Sequence, residues 1–509
     1  MIKTLREERT NFCPEKSKYL QDIAGVRWSC EGIAHYLVQG KNQATKALNV
    51  GVVFSGGPAA GGSNVVAGLF DTLKVIDKSS NLIGFLGGPI ALVNGISKIL
   101  KEEEINQHRN QGGFHLLGSG RTKIETENQF QSVLKTITNM KLDGIVFIGG
   151  DDTNTNAFHL AEFLEKNNCN CRIIGIPKTI DGDLKSDLIE ISFGFDTACK
   201  VYSEMIGNIS IDAMSSLKYW HFIKLMGRKA SHVTLECALQ TQPNVVFIGE
   251  EIAKKNSSLD DVVNVLVETI EKRASLGKNY GVALIPEGLI EFIPEVKILI
   301  QECNRFLALG KGIESLTERS RACYDKFPEG LQKQLLEDRD PHGNVQVSKI
   351  ETEKFLSYLV AKELEKRNSQ TKFNPVHHFM GYEGRCSFPS AFDANYCYNL
   401  GCSSASLIRD GLSSVMAGFT NLSGEVKNWK PIAVALSSMM VEEERKGVHK
   451  KVIKKALIDI DQPVFQEFLK RHEGWKGGDL YISPGPMQFS GATKNLISKT
   501  LQIESMAKI

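Results

Sequence analysis

The stretch Ile145-Val146-Phe147-Ile148-Gly149-Gly150-Asp151-Asp152-Thr153 decides how the rest of the chain is read. Four successive apolar residues describe a strand buried on both faces, the habit of parallel sheets covered by helices. Downstream, Ala157, Leu160, Ala161 and Leu164 fall on one face of a helix from Asn154 to Lys166, with Asp152 or Thr153 placed to cap its first turn. The unit is strand, glycine turn, helix. Such a turn points free N–H groups and the positive end of a helix at the carboxyl edge of a sheet, where anions and phosphates bind. Two carboxylates there repel a bare phosphate, a conflict resolved by a divalent ion between carboxylate and phosphate oxygens. Mg²⁺ is the expected ion, since it needs few protein ligands when phosphates supply the others, and Asp151 is its expected carboxylate. In isolation the same motif also suits a solvated helix cap.

Upstream, the strand Val50 to Phe54 runs into Ser55-Gly56-Gly57-Pro58-Ala59-Ala60-Gly61-Gly62-Ser63-Asn64 and then the helical Val65 to Leu73. Glycines at this junction let the backbone approach a bound oxyanion, yet the loop is neither G-x-G-x-x-G nor a Walker A loop. Ile83 to Leu86 repeats the design with Gly87-Gly88-Pro89. Gly118-Ser119-Gly120-Arg121-Thr122-Lys123 offers two cations, either phosphate ligands or solvated surface charges. Downstream, the strand Arg172 to Ile176 ends in Pro177-Lys178-Thr179-Ile180-Asp181-Gly182-Asp183, which packs two acids, a cation and a hydroxyl into one turn. A carboxylate beside a lysine and a substrate alcohol can act as general base while the lysine neutralises a transferring phosphoryl group. Turn formation by Asp and Gly is the plain alternative.

The alternation continues through helix Phe193 to Ser210, strand Trp220 to Leu225 with Lys218-Tyr219 before it, and the turn Met226-Gly227-Arg228-Lys229. Helix Ser231 to Leu239, strand Val245 to Ile248, helix Leu259 to Leu276 and strand Val282 to Ile285 follow. The last is closed by Pro286-Glu287-Gly288, whose acid suits a sugar hydroxyl. Repeated alternation predicts an open, mainly parallel α/β sheet with sites along its carboxyl edge. From Ile293 to about Asn368 the periodicity is helical, interrupted by Asp338 to Asn344, which predicts a helical insertion. Phe373 to Phe379 reads as strand, with His377-His378 packed or on the surface. Gly381-Tyr382-Glu383-Gly384-Arg385 follows, its Arg385 suited to bidentate phosphate contact. Helix Ala391 to Gly411 and strand Ile432 to Leu436 complete the pattern. Val441 to Arg471 reads as outer helices, and residues 1–45 as a charged prelude with some helix.

At 509 residues the chain has room for two or more domains, and its 42% hydrophobic and 24% charged residues suit a soluble globular protein. A net charge of +2 gives no electrostatic reason for a nucleic-acid or membrane partner. Eleven scattered cysteines without a C-x-x-C pair predict reduced thiols. With neither signal-peptide character nor a spanning stretch, a cytoplasmic protein is expected.

Together these turns resemble the phosphofructokinase family, and within it the long pyrophosphate-dependent branch. The resemblance runs from about Asn49 to about Leu436 and rests on Ser55 to Asn64, Gly84 to Pro89, Gly118 to Lys123, Gly149 to Thr153, Pro177 to Asp183, Met226 to Arg228, Pro286 to Gly288 and Gly381 to Arg385, in that order. It implies two Rossmann-like domains with mainly parallel sheets, a helical insertion and terminal helical extensions. The boundaries expected are an extension at 1–45, a phosphoryl-donor domain at 46–192 with 389–437, a sugar-phosphate domain at 193–288 with 371–388 and 438–509, and the insertion at 289–370. It implies that Asp181 takes the proton from the 1-hydroxyl of fructose 6-phosphate, with Thr179 and Asp183 beside it, Asp151 on Mg²⁺, and Gly57 and Arg121 against pyrophosphate. Thr179, Ile180, Met226, Gly227, Arg228, Glu287, Tyr382, Glu383, Gly384 and Arg385 would bind the sugar phosphate, with Lys218 and Tyr219 close by. ATP-using relatives commonly carry glycine at the positions of Asp152 and Lys178. A carboxylate at the first crowds and repels the nucleotide's α-phosphate, and a lysine at the second compensates a small leaving phosphate. The implied reaction is reversible, and the implied assembly a homodimer or larger. The first loop departs from the branch's usual Gly-Gly-His-Asn by having Ser63. An ATP-dependent 6-phosphofructokinase lacks support at Asp152 and Lys178. A non-catalytic regulatory subunit would have lost carboxylates that are all present here, and a dinucleotide-binding protein would need the absent glycine fingerprint.

Overall fold

Strands Asn49–Phe54, Gly144–Gly149 and Arg172–Pro177 are almost wholly buried, because their Val and Ile side chains are covered on both faces. The computed structural model describes residues 8–9, 11–21, 26–31, 35–41, 46–339, 343–445, 448–491 and 493–507. The chain divides into two units: Met1–Ala198, Tyr382–Ala456 and Met487–Ser505 form unit 1; Cys199–Gly381, Leu457–Pro486 and Met506–Ile509 form unit 2.

Unit 1 is built on a nine-stranded sheet in the order Val26–Glu31, His35–Lys41, Lys430–Ala435, Val415–Thr420, Arg172–Pro177, Gly144–Gly149, Asn49–Phe54, Asn81–Phe85, Ser97–Ile99. The five strands from Val415–Thr420 to Asn81–Phe85 are mutually parallel, and the outer pairings are antiparallel. Helices Gly62–Ile76 and Ala391–Arg409 cross with backbones touching. A Cβ at Gly68 would stand 2.0 Å from the Tyr398 carbonyl oxygen, and one at Gly401 2.1 Å from that of Val65. Only glycine fits either place, and the crossing fixes the start of the first helix, hence the glycine loop before it.

Four local expectations are corrected in unit 1. Helix Asp151–Lys166 starts at Asp151 with Gly150 as its N-cap and no side-chain cap, so neither Asp152 nor Thr153 caps it. Thr153 Oγ1 instead donates to Ser55 Oγ at 2.9 Å, drawn under the Gly149 turn. The N-terminal prelude has some helix, at residues 8–9 and in the 3-10 turn Lys18–Leu20, but it also holds an unexpected antiparallel strand pair. Val415–Thr420, passed over because Ala417-Gly418 dilutes its apolar run, is a buried strand. Val441 onward forms the hairpin Met440–Arg445 with Val448–Ile453, which belongs to unit 1 although 438–509 was expected in the other domain. Its register sets Glu442 opposite Lys451 and Glu443 opposite Lys450. Those charges stabilise a hairpin by cross-strand attraction but look like an amphipathic helix in sequence. Helix Pro463–Trp475 begins only after it.

Unit 2 holds a four-stranded parallel sheet, Pro375–Met380, Trp220–Leu225, Gly281–Pro286, Val245–Val246. The helical insertion is present as Pro294–Ala308, Glu318–Tyr324, Glu329–Glu337 and Thr352–Lys366, and it packs into the core of unit 2, where Phe327 stacks on Phe355 at 3.8 Å. The loop interrupting it is described except at residues 340–342. Lys224, buried on its strand, clamps the insertion by donating to the Ile350 carbonyl at 2.9 Å beside Glu353 at 3.5 Å. His378 pairs with His221 at 2.9 Å and His377 with Ser357 at 2.7 Å, a packed role for both. Among the described residues, no helix is long and apolar enough to cross a membrane, and Cys13 and the nine cysteines from Cys169 to Cys402 are free.

Candidate active site

Strands Gly144–Gly149 and Arg172–Pro177 pair in register to their last residues, Gly149 with Pro177, so the turns that follow leave the sheet side by side. Asn154 ties them together. Its side-chain amide donates to the carbonyls of Gly149 at 2.8 Å and Gly150 at 2.9 Å and reaches that of Ile176 at 3.4 Å. Asn154 is fully buried, and a Cβ at Gly175 would stand 2.0 Å from its Oδ1. Sequence reasoning missed it, although Asn154 lies on the same helical stripe as Ala157, Ala161 and Leu164, where a polar residue must have a partner. Asn154→Ala leaves these carbonyls without their donor and is expected to destabilise the protein by about 2 kcal/mol, read as a lower urea midpoint. An unchanged midpoint would refute this role.

The turn after Pro177 is held by the neighbouring glycine turn and by its own side chains. Lys178 N donates to the Gly149 carbonyl at 3.1 Å, Asp181 N to Thr179 Oγ1 at 3.0 Å, and Thr179 Oγ1 to Asp183 Oδ1 at 3.1 Å. Gly182, at φ +76°, lets the chain double back. Ile180 is buried beneath the turn and Asp181 is partly exposed above it. The Lys178 side chain is buried, its ammonium 3.5 Å from where a Cβ on Gly56 would stand and 3.9 Å from one on Gly150. Burial pulls its pKa down to about 8; Asp181 and Asp151 resist, and Arg385 and Arg121 add to the fall. The ammonium is therefore intact at neutral pH and lost as pH rises through about 8. Donor kcat/KM is expected to fall on that limb in the wild type and to stay level in Lys178→Arg, whose guanidinium keeps its charge. A wild-type profile level across that range would remove the Lys178 charge from donor binding.

The glycine loops enclose this ammonium. Gly56 N donates to the Gly120 carbonyl at 2.9 Å, and Ser119 Oγ to the Gly56 carbonyl at 2.7 Å, so the loop carrying Arg121 is fastened to the one carrying Gly57. Arg121 itself is exposed. A Cβ on Gly57 would stand 3.3 Å from Arg385 Cζ, so the guanidinium expected at the sugar phosphate lies against the donor loop. Arg385 sits 5.2 Å from the Tyr382 ring, and its Nε is buried without a partner. Glu383 is exposed and Gly384 buried in the 3-10 turn Tyr382–Gly384. Asp152, more than half exposed, pairs with Lys123 at 3.2 Å. Ser63 is buried with its hydroxyl unpartnered.

Sequence reasoning also missed Lys455, which it placed in an outer helix. The Lys455 ammonium lies 3.1 Å from Asp151 Oδ2 and 3.1 Å from Asp183 Oδ2. Burial works against its charge, but Asp183 and then Asp151 outweigh it and hold the pKa above the usual lysine range. Two carboxylates converging on one cation make a hard-oxygen donor set of the kind that suits Mg²⁺ when phosphates and water complete the shell. Among the described residues no group of three or more His, Cys, Asp or Glu side chains could hold a metal.

In unit 2 the turn Met226-Gly227-Arg228 is braced by Glu287. Gly227 N donates to Glu287 Oε2 at 3.1 Å, and Glu287 N to the Leu225 carbonyl at 2.9 Å. Gly227, at φ +135°, and Gly288, where a Cβ would stand 1.9 Å from the Arg228 carbonyl oxygen, allow that approach. Lys218 and Tyr219, expected close to this turn, precede the strand Trp220–Leu225 while Met226 follows it, so roughly 20 Å of strand separates them.

Three comparisons bear on this arrangement. The phosphofructokinase family profile matches residues 49–408. Pyrophosphate–fructose 6-phosphate 1-phosphotransferase subunit beta 1 of Arabidopsis thaliana is 50% identical over 90% of this chain and 82% of its own length. The pyrophosphate–fructose 6-phosphate 1-phosphotransferase of Entamoeba histolytica is 46% identical over 92% of this chain and 89% of its own. Among solved structures, the pyrophosphate-dependent phosphofructokinase of Nitrosospira multiformis aligns with a TM-score of 0.57 over 89% of this chain and 98% of that one; at 15% identity this speaks to the fold alone. With the profile spanning most of the sequence and half of the aligned residues shared with one relative, this chain belongs to the phosphofructokinase family.

Proposed function

We propose that the chain catalyses the Mg²⁺-dependent, reversible transfer of a phosphoryl group from pyrophosphate to the 1-hydroxyl of fructose 6-phosphate, a step of glycolysis giving fructose 1,6-bisphosphate and phosphate. The observation that carries the donor choice is Lys178, a buried ammonium lodged between the glycine turns at Gly56 and Gly150 with Asp181 and Asp151 acting on it. A charge so enclosed suits a small inorganic phosphate better than a nucleotide. The 50% identity with a named pyrophosphate–fructose 6-phosphate 1-phosphotransferase subunit supports the same choice.

Asp181 takes the proton of the 1-hydroxyl, its place set by the Asp181 N to Thr179 bond and the Thr179 to Asp183 bond. Lys178 neutralises the departing phosphate, with the backbone at Gly57 and the Arg121 guanidinium against the rest of the donor. Asp151 would hold Mg²⁺, which when bound would neutralise charge on the donor phosphates. On the family resemblance, Thr179, Ile180, Met226, Gly227, Arg228, Glu287, Tyr382, Glu383, Gly384 and Arg385 are assigned to the sugar phosphate. Lys218 and Tyr219, at the opposite strand end from Met226, are then assigned to the sugar phosphate of a second copy, and the proposed assembly is a homodimer or larger. Free thiols at Cys13 and the nine cysteines from Cys169 to Cys402 support a cytoplasmic location. Reversibility supplies the test. Incubated with fructose 1,6-bisphosphate, orthophosphate and Mg²⁺, the protein is expected to produce pyrophosphate; failure to do so in a preparation active in the forward direction would contradict the pyrophosphate reading.

A further inference from the structure

We propose that Lys455 is the resident cation of the Asp151–Asp183 pair, and that a divalent ion enters at Asp151 by exchanging with it. The inference rests on the reading of Asp151 as the metal carboxylate. Lys455 is delivered to this place by the backbone on both sides of it. Ile453 N donates to Thr155 Oγ1 at 3.0 Å, one turn along the helix that opens with Asp151, and Lys454 N to the Met439 carbonyl at 3.0 Å, closing the hairpin base. Ala456 N then donates to the Asp183 carbonyl at 2.7 Å. Asp183 therefore grips the segment twice, through its main chain at Ala456 and its side chain at Lys455. Three successive anchors leave the Lys455 stem directed at the two carboxylates, and a surface lysine that met them by chance would have none.

An ammonium in contact with Asp151 Oδ2 and a divalent ion bound to the same oxygen repel each other strongly at such separations. Metal alone must displace Lys455 and leave its ammonium without the two carboxylates that balance it. Metal arriving with pyrophosphate brings the anion that the displaced ammonium requires. Lys455 thus couples metal entry to donor entry, and without a donor it keeps the two carboxylates from repelling each other. At 28% side-chain exposure, its flexible stem has room to withdraw.

The test is Mn²⁺ binding to the full-length protein without substrates, followed by the loss of the free-ion electron paramagnetic resonance signal. Lys455→Met is expected to bind Mn²⁺ about tenfold or more tightly than wild type, within the usual range of coupling between two sites. Lys455→Arg, which keeps the charge, is expected to match wild type, and Asp151→Asn to lose the site. If Lys455→Met does not fold, Lys455→Gln decides by the same measurement. Equal Mn²⁺ affinity in wild type and the neutral variant, with binding abolished in Asp151→Asn, would overturn the exchange while leaving the metal carboxylate in place. Unaltered binding in Asp151→Asn would overturn both.

Discussion

Asp181→Asn is expected to lower kcat with pyrophosphate and fructose 6-phosphate by about 10²–10⁴-fold, the usual contribution of a positioned general base. The side chain hangs on a turn tied by backbone and hydroxyl bonds that do not involve its carboxylate, Asp181 N to Thr179 Oγ1 and Thr179 Oγ1 to Asp183 Oδ1. The substitution should therefore leave the turn standing, so that KM for the sugar phosphate and the unfolding midpoint stay near wild type. A base acts only when the hydroxyl loses its proton, which places the loss in kcat. Near-wild-type turnover in Asp181→Asn would assign the proton to another group and leave Asp183, already bonded to Thr179 and Lys455, as the first to examine.

Removing the Lys178 charge is the second large expectation. Lys178→Met retains the buried stem and deletes the ammonium, so turnover with pyrophosphate is expected to fall by about 10²–10³-fold, equivalent to about 3–4 kcal/mol of transition-state stabilisation. Buried ammonium is costly in the free protein, as its depressed pKa reflects, so the same variant should not lose stability. Loss of activity without loss of stability separates a catalytic charge from a structural one. Donor choice is tested by combining the two positions. Asp152→Gly with Lys178→Gly should lose pyrophosphate activity and gain weak ATP activity, and an unchanged donor preference would remove both residues from the specificity account. Lys178 is the stronger half of that pair. Asp152 is largely exposed and pairs with Lys123 at the surface, where one charge counts for less.

What the sequence showed and what it hid divide along physical lines. The apolar runs at Val50, Ile145, Arg172 and Trp220 mark parallel strands because both faces are buried and no alternation competes. The glycine turns after them are legible because only glycine permits those approaches. Gly149, Asp151, Lys178 and Asp181 follow from the turns, being local to them. Lys455 does not. It reaches the site from more than 270 positions downstream, through a hairpin whose Glu442–Lys451 and Glu443–Lys450 pairs imitate a helix in one dimension. Asn154 was hidden for the opposite reason, as a polar residue in an apolar stripe whose three carbonyl partners belong to turn geometry that no spacing rule encodes. Lys218 and Tyr219 show a third limit. Adjacency to the strand that leads to Met226 is plain in the sequence, but the direction of the strand puts them at its far end.

The most direct test of the central claim is fructose 1,6-bisphosphate formation from fructose 6-phosphate and Mg²⁺, with pyrophosphate and ATP offered separately at matched concentrations. Activity with pyrophosphate and none comparable with ATP is the predicted result, and activity with ATP alone would contradict the reading of Lys178 and Asp152 on which the donor assignment stands.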